Sequence, residues 1–178
     1  MNMRKTPLVP ARIAWSVNQL EIGTEQRILE IGAGRGAAAE LVCARLGRGS
    51  YLGIDRSVAA VSAGSERNQR HIERRMATFQ QLELDAMEPR AVGRFDTIFA
   101  VNVNLFWTRP AQRELALVRE LLTAQGQLWL FYEAPTTTAS SRISTLLGQR
   151  LDQAGYGYEM AGETVEGALL LRFRCSPT

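Results

Sequence analysis

The segment RILEIGAGRG, Arg27 to Gly36, constrains the fold more than any other: an apolar strand ends on Glu30 and Ile31 and runs directly into a loop with glycine at 32, 34 and 36. Glycine tolerates positive φ and has no Cβ, so such a loop lets backbone lie close against a ligand. A strand that enters a glycine loop and leaves it into a helix suits an open α/β sheet, in which ligands sit outside the carboxyl ends of the strands. Asp55 and Asp85, each following a later strand-like run, add acids downstream of the loop. Together these features point to a nucleotide-like cofactor.

The rest of the chain alternates strand and helix patterns, with no internal repeat or low-complexity tract. A leading helix is predicted over Ala11–Leu20, a first strand over Arg27–Ile31, and a helix over Ala37–Leu46 that stops at Gly47. Tyr51–Asp55 reads as the second strand, after which Ser57 caps a helix carrying Val58, Val61 and Ile72 towards a core. Thr78–Leu84 and Phe95–Val101 read as the third and fourth strands, the latter continuously apolar like a strand buried on both faces. Thr108 and Pro110 open a helix with Leu115, Val118, Leu121 and Leu122 at helical spacing, Gly126 ends it, and Gly126–Glu133 follows as the fifth strand.

Ile143, Leu146, Leu147 and Leu151 mark one more helix. Tyr156–Met160 and Ala168–Phe173 are separated by a polar turn too short for a parallel crossover, so these strands are expected to pair antiparallel. The fold class is therefore α/β: an open, doubly wound, mostly parallel sheet with an antiparallel edge and helices on both faces.

A length of 178 residues fits one domain, 1–178, in which 1–26 form an N-terminal extension and the leading helix. No stretch approaches the roughly 20 apolar residues of a spanning helix, and the opening MNMRKTPLVPARIAW is broken by prolines and Arg12 before a signal-like core forms. A cytoplasmic protein without a membrane segment is expected. Cys43, Cys175 and His71 are too few and too scattered for a zinc site, so no structural metal is expected. The net charge of +3 comes from 21 basic residues, all arginine except Lys5, mixed with acids along most of the chain. That mixture favours a solvated surface over a nucleic-acid stripe, and the locally basic run Arg67–Arg75 suits the C-terminal part of a helix.

EIGAGRG after the first strand, GID at the end of the second, LELDAMEP after the third and FDTIFAVNVNLFW at the fourth together resemble the class I S-adenosylmethionine-dependent methyltransferases. The resemblance spans about Ile28 to Phe173 and rests on the set, since each motif alone is weak. It implies a seven-stranded sheet in the order 3-2-1-4-5-7-6 with the last strand antiparallel, and S-adenosyl-L-methionine as cofactor. It also implies roles for residues. Gly32, Ala33, Gly34 and Gly36 would cradle the methionine end of the cofactor. Glu30 would hold the loop or the cofactor's ammonium, and Asp55 would accept hydrogen bonds from the ribose hydroxyls. Asp85 would receive the adenine amino group, with Ala86 offering backbone and Ile54, Arg56 and Met87 flanking the ring. Asn102 would lie beside the methionine part, with Val103–Trp107 forming an apolar, aromatic mouth at the methyl group.

The loop also satisfies GxGxxA, and Asp55 lies 19 residues past Gly36, as a dinucleotide site would have it, so an NAD(P)-binding dehydrogenase is the rival reading. Glu30 before the loop, Asp85 after the third strand and the late hairpin favour the methyltransferase. A non-catalytic cofactor-binding or partner subunit of the same fold is the other alternative. Methyl transfer to an O, N or C nucleophile needs mainly alignment, so no dyad is required, and Glu133 at the end of the fifth strand is the one weak candidate for a general base. The stretch NVNL stands where amino-group methyltransferases of DNA bases and glutamine carry NPPY or DPPY, and no paired cysteines mark cytosine-5 chemistry. The expected acceptor is therefore a small molecule, not nucleic acid, bound by a monomer or homodimer.

Overall fold

The computed structural model describes residues 8–178; the first seven residues, part of the expected extension, lie outside the described residues. In chain order the elements are α1 (Ala11–Gln19), β1 (Arg27–Ile31), α2 (Ala37–Cys43), β2 (Ser50–Asp55), α3 (Val58–Arg67), α4 (Gln69–Glu73) and β3 (Ala77–Gln81). A 3-10 turn (Leu84–Ala86) leads to α5 (Pro89–Val92), β4 (Phe95–Val101), α6 (Leu105–Thr108), α7 (Gln112–Leu121), β5 (Leu122–Ala134), α8 (Thr137–Gln153), β6 (Tyr156–Val165) and β7 (Ala168–Pro177). The strands form one seven-stranded sheet in the order β3-β2-β1-β4-β5-β7-β6. β7 runs antiparallel to both its neighbours and the other pairs are parallel, as expected from the short turn before β7 and from the family resemblance. Strand order reverses between β1 and β4, which opens a crevice at their carboxyl ends.

Side-chain alternation along β1 shows how the sheet divides two cores. Leu29 and Ile31 point into the layer that holds Ile98, Leu115, Leu147 and Phe173. Ile28 points into the opposite layer, with Val17, Val42, Phe99, Trp129 and Phe131. α1 lies across this second face. Its Trp15 stands edge-on to Phe131 at 5.8 Å and donates its indole N–H to Glu163 of β6 at 2.7 Å. At the end of α1 Gln19 accepts from Arg172, and just beyond it Glu21 accepts from Arg174; both guanidiniums stack over Trp129. Among the described residues no helix is long and apolar enough to cross a membrane.

Several boundaries differ from the sequence pattern for identifiable reasons. The helix expected after Ser57 breaks at Asn68 into α3 and α4, and Val58 is 63% exposed because it opens the first turn, three residues past the end of β2, before the helix reaches the core. β3 ends at Gln81, where its partner β2 ends at Asp55, so Leu84 belongs to a turn and not to the strand. Arg109 precedes Pro110 and is held extended, which separates α6 from α7. Gly126 does not stop a helix: α7 ends at Leu121 and β5 starts at once. Gly126 sits in the irregularity between Phe95 and Thr97, where an added Cβ would approach the Phe95 carbonyl oxygen to 2.9 Å.

α8 starts earlier than its apolar stripe because Thr136 caps it, the hydroxyl accepting the Ala139 N–H at 3.1 Å. Thr136→Ala is expected to lower the unfolding free energy by about 1 kcal/mol in a urea titration without changing its slope.

Candidate functional site

The loop from Gly32 to Gly36 is built by the end of β2. The N–H groups of Gly32 and Ala33 both donate to the Ile54 carbonyl at 2.9 Å. The Asp55 carboxylate accepts the Gly34 N–H on one oxygen and the Ser57 N–H on the other, each at 2.9 Å. All three loop glycines have positive φ, between 52° and 72°. A Cβ on Gly32 would come within 2.6 Å of a Val103 side-chain methyl, so the Val103 side chain packs directly against the loop backbone. Behind the loop, the Asn68 amide donates to the Gly36 and Gly64 carbonyls, both at 2.9 Å. Sequence reasoning passed over Asn68; its only signal was an Asn four residues after a glycine inside an apparent helix.

Two cavities open at the carboxyl ends of the strands and meet at Gly32, Val101 and Asn102. The first, of about 930 Å³, is lined by Glu30, Gly32, Ala33, Gly34 and Arg35, together with Pro10, Arg12 and Ile13 around the start of α1. The second, of about 580 Å³, is lined by Ile54, Asp55, Arg56, Leu84 and Asp85, with Val103, Asn104 and Leu105 opposite. Asn102 stands at the junction in the left-handed region, φ 56°. Its N–H donates to the Phe131 carbonyl at 2.8 Å and its side-chain oxygen accepts the Glu133 N–H at 2.7 Å. Those bonds hold a conformation that a non-glycine residue adopts at a cost.

Other expected residues fall elsewhere. Gly36 is buried behind the loop and lines neither cavity. Ala86 and Met87 also line neither, because the 3-10 turn engages their N–H groups with the Glu83 and Leu84 carbonyls and turns Met87 into the core. Phe106 is fully buried and Trp107 hydrogen-bonds Asn104, so Val103 and Leu105 supply the apolar wall in place of the aromatic pair. The Glu133 carboxylate lies outside both cavities, 3.5 Å from the Arg12 guanidinium. Arg12 does line the first cavity, a role its place in a leading helix did not reveal.

Glu30 is buried on the side of the sheet that faces α2, and its carboxyl is hydrogen-bonded by the Tyr51 hydroxyl. Burial pushes its pKa up from 4.5 to about 8, against the lowering effect of the Tyr51 bond, with a further upward push from Asp55. The Tyr51 hydroxyl is raised well above its ordinary value by burial and by Glu30, and the Cys43 thiol beside them is pushed up to about 12, mainly by burial. Glu30, which lines the first cavity, thus belongs to a buried cluster whose groups are all held towards their protonated forms. The loop itself is held by Asp55 and Asn68.

Residues 29–128 match a family described as a methyltransferase domain. No curated protein matches the sequence. Among solved structures, geranyl diphosphate methyltransferase in complex with SAM superposes with a TM-score of 0.73 at 10% identity, covering 94% of this chain and 85% of that one. Precorrin-6y C5,15-methyltransferase from Geobacter metallireducens GS-15 gives 0.72 at 14% identity, covering 100% and 94%. The YcgJ protein of Bacillus subtilis gives 0.69 at 13% identity, covering 94% and 98%. At such identities the likeness is one of fold.

Glu30 predicts a specific pH dependence. The unfolded chain releases this proton near pH 4.5 and the folded protein keeps it to about 8, so its contribution to stability is complete below 4.5 and declines as pH rises towards 8. The difference in unfolding free energy between wild type and Glu30→Gln, which retains an acceptor for Tyr51, should change by about 1.4 kcal/mol per pH unit inside that window. A difference that does not vary with pH would mean that Glu30 is already ionised in the fold.

Proposed function

Because the chain belongs to the methyltransferase-domain family and has the class I fold, we propose that it binds S-adenosyl-L-methionine across the two joined cavities and transfers the methyl group to a small-molecule acceptor. The observation that carries this reading is the junction itself: the glycine loop and Asn102 stand where the cavity of Asp55 and Asp85, with Val103 and Leu105 opposite, meets a larger one bounded by Pro10, Arg12 and Ile13. The residues fit the cofactor. Each Asp55 oxygen accepts one backbone N–H and keeps a further lone pair for a ribose hydroxyl. Ile54, Arg56 and Asp85 surround the same cavity and suit an adenine ring with its exocyclic amino group.

The methionine part then belongs at Gly32 and Asn102, which line both cavities. Glu30 lies beneath as a hydrogen-bonding carboxyl. When bound, the cofactor supplies an electrophilic methyl group on a sulfonium. The chain's contribution is orientation: Asn102 is pinned between β4 and β5, and Val103 and Leu105 keep water from one wall. Arg12, Ile13 and Pro10 bound the side of the larger cavity from which an acceptor would approach. Glu133, tied to Arg12, serves this reading as a brace for Asn102 through its N–H; no general base is assigned.

Calorimetry with S-adenosylmethionine, S-adenosylhomocysteine and NADH tests the reading. Binding of both sulfur compounds and not NADH is expected; NADH alone would make the protein a dinucleotide enzyme. Tight sulfur-cofactor binding without methyl transfer to a broad acceptor panel would indicate a partner subunit. Asp55→Ala should weaken S-adenosylhomocysteine by about 2 kcal/mol, the cost of losing hydrogen bonds to a charged group. Unchanged affinity would remove Asp55 from the site.

A further inference from the structure

We infer that Asn68, at the break between α3 and α4, is a positioning residue for cofactor binding, holding the glycine loop in its binding conformation from behind. This rests on the cofactor reading above. Asn68 is 1% exposed and lines neither cavity. Both bonds of its amide nitrogen are directed at backbone, to Gly36 at the end of the loop and to Gly64 one turn earlier in α3. The Gly64 carbonyl also receives the backbone N–H of Asn68 at 3.1 Å, so the second bond duplicates one the helix already makes. The bond to Gly36, 32 residues away, is the one that α3 could not make for itself.

Three features show that this contact is built around the loop. Among the described residues, Asn68 leaves its side-chain oxygen buried without a hydrogen-bond partner. Buried unsatisfied polar groups are rare, and for packing alone a leucine of similar shape would avoid the cost. The glycines on both sides are needed for the approach: a Cβ on Gly36 would lie 2.5 Å from the Asn68 amide nitrogen and 2.9 Å from the Gly64 Cα, and one on Gly64 would lie 3.3 Å from the Gly34 carbonyl oxygen. The neighbouring Arg67 also grips this region, donating from Nε and Nη2 to Glu40 of α2 at 3.0 and 2.8 Å. α3 therefore acts as a backstop. Asp55 holds the front of the loop at Gly34 and Asn68 holds its rear at Gly36.

A role confined to packing and a role in positioning separate in the variants Asn68→Leu and Asn68→Ala. The probe is S-adenosylhomocysteine, measured by calorimetry well below the thermal midpoint, beside the midpoint itself and amide hydrogen exchange of residues 32–37 in the ligand-free protein. Asn68→Leu is expected to keep a thermal midpoint close to wild type, lose about tenfold in affinity and exchange faster in the loop while sheet amides stay protected. Asn68→Ala should show the same loss of affinity with a lower midpoint. A folded variant with wild-type affinity and wild-type loop exchange overturns the inference. Unfolding of both variants overturns it too, since Asn68 would then serve the fold as a whole. If the wild-type protein binds no S-adenosylhomocysteine, the cofactor reading fails, and loop exchange in the variants alone decides whether Asn68 orders the loop.

Discussion

The Asp55 carboxylate ties together two backbone segments that would otherwise diverge. One oxygen receives the loop at Gly34 and the other the start of α3 at Ser57, while the preceding carbonyl of Ile54 takes the N–H groups of Gly32 and Ala33. A loop in which every glycine has positive φ gives up much conformational freedom on ordering. Hydrogen bonds to an ionised acceptor are among the stronger ones available to offset that cost. Both cavities take their shape from this point, since the loop walls one and Asp55 the other. An acid that binds a ribose here would also be the acid that folds the loop, so structure and binding share one group.

Polarity under the loop is handled differently on the two faces of β1. Leu29 and Ile31 enter an apolar layer, whereas Glu30 enters the other with Tyr51 and Cys43 at hand. An ionised carboxylate there would be expensive, and burial instead keeps the proton on Glu30 up to about pH 8. The cluster is a donor and acceptor network more than an ion pair.

The leading helix completes the site from a distance. α1 is anchored through Trp15 to Phe131 and Glu163 and through Gln19 to Arg172, and Glu21 just after it holds Arg174; both arginines lie over the face of Trp129. These contacts lie on the antiparallel edge of the sheet, far along the chain from the loop. They bring Arg12 and Ile13 to the larger cavity and Arg12 to Glu133. The edge hairpin thus does more than close the sheet: its Glu163, Arg172 and Arg174 help anchor α1 and the residue just after it.

The alternation of strands and helices, the antiparallel pairing of the last two strands and the acids at the ends of the strand-like runs were legible in the sequence because period, turn length and glycine spacing are local properties that survive any packing; the strand order came from the family resemblance. So were the bounds of β1 and β4, where continuous apolar runs meet abrupt turns. Other features were decided only when distant segments met. Met87 turned into the core because a 3-10 turn used its N–H, β3 stopped where β2 had no more backbone to pair, and Gly126 proved to be a point of close approach to Phe95. The hold of Asn68 on Gly36 and of Arg12 on Glu133 spans residues with no sequence pattern in common. By itself the sequence determined the sheet, its glycine loop and the chemistry class of the acids, since these follow from each residue's own conformational and hydrogen-bonding capacity. Which groups brace that loop, which line the cavities and which are neutral was decided by tertiary structure, because burial and partner distance exist only once the chain has folded.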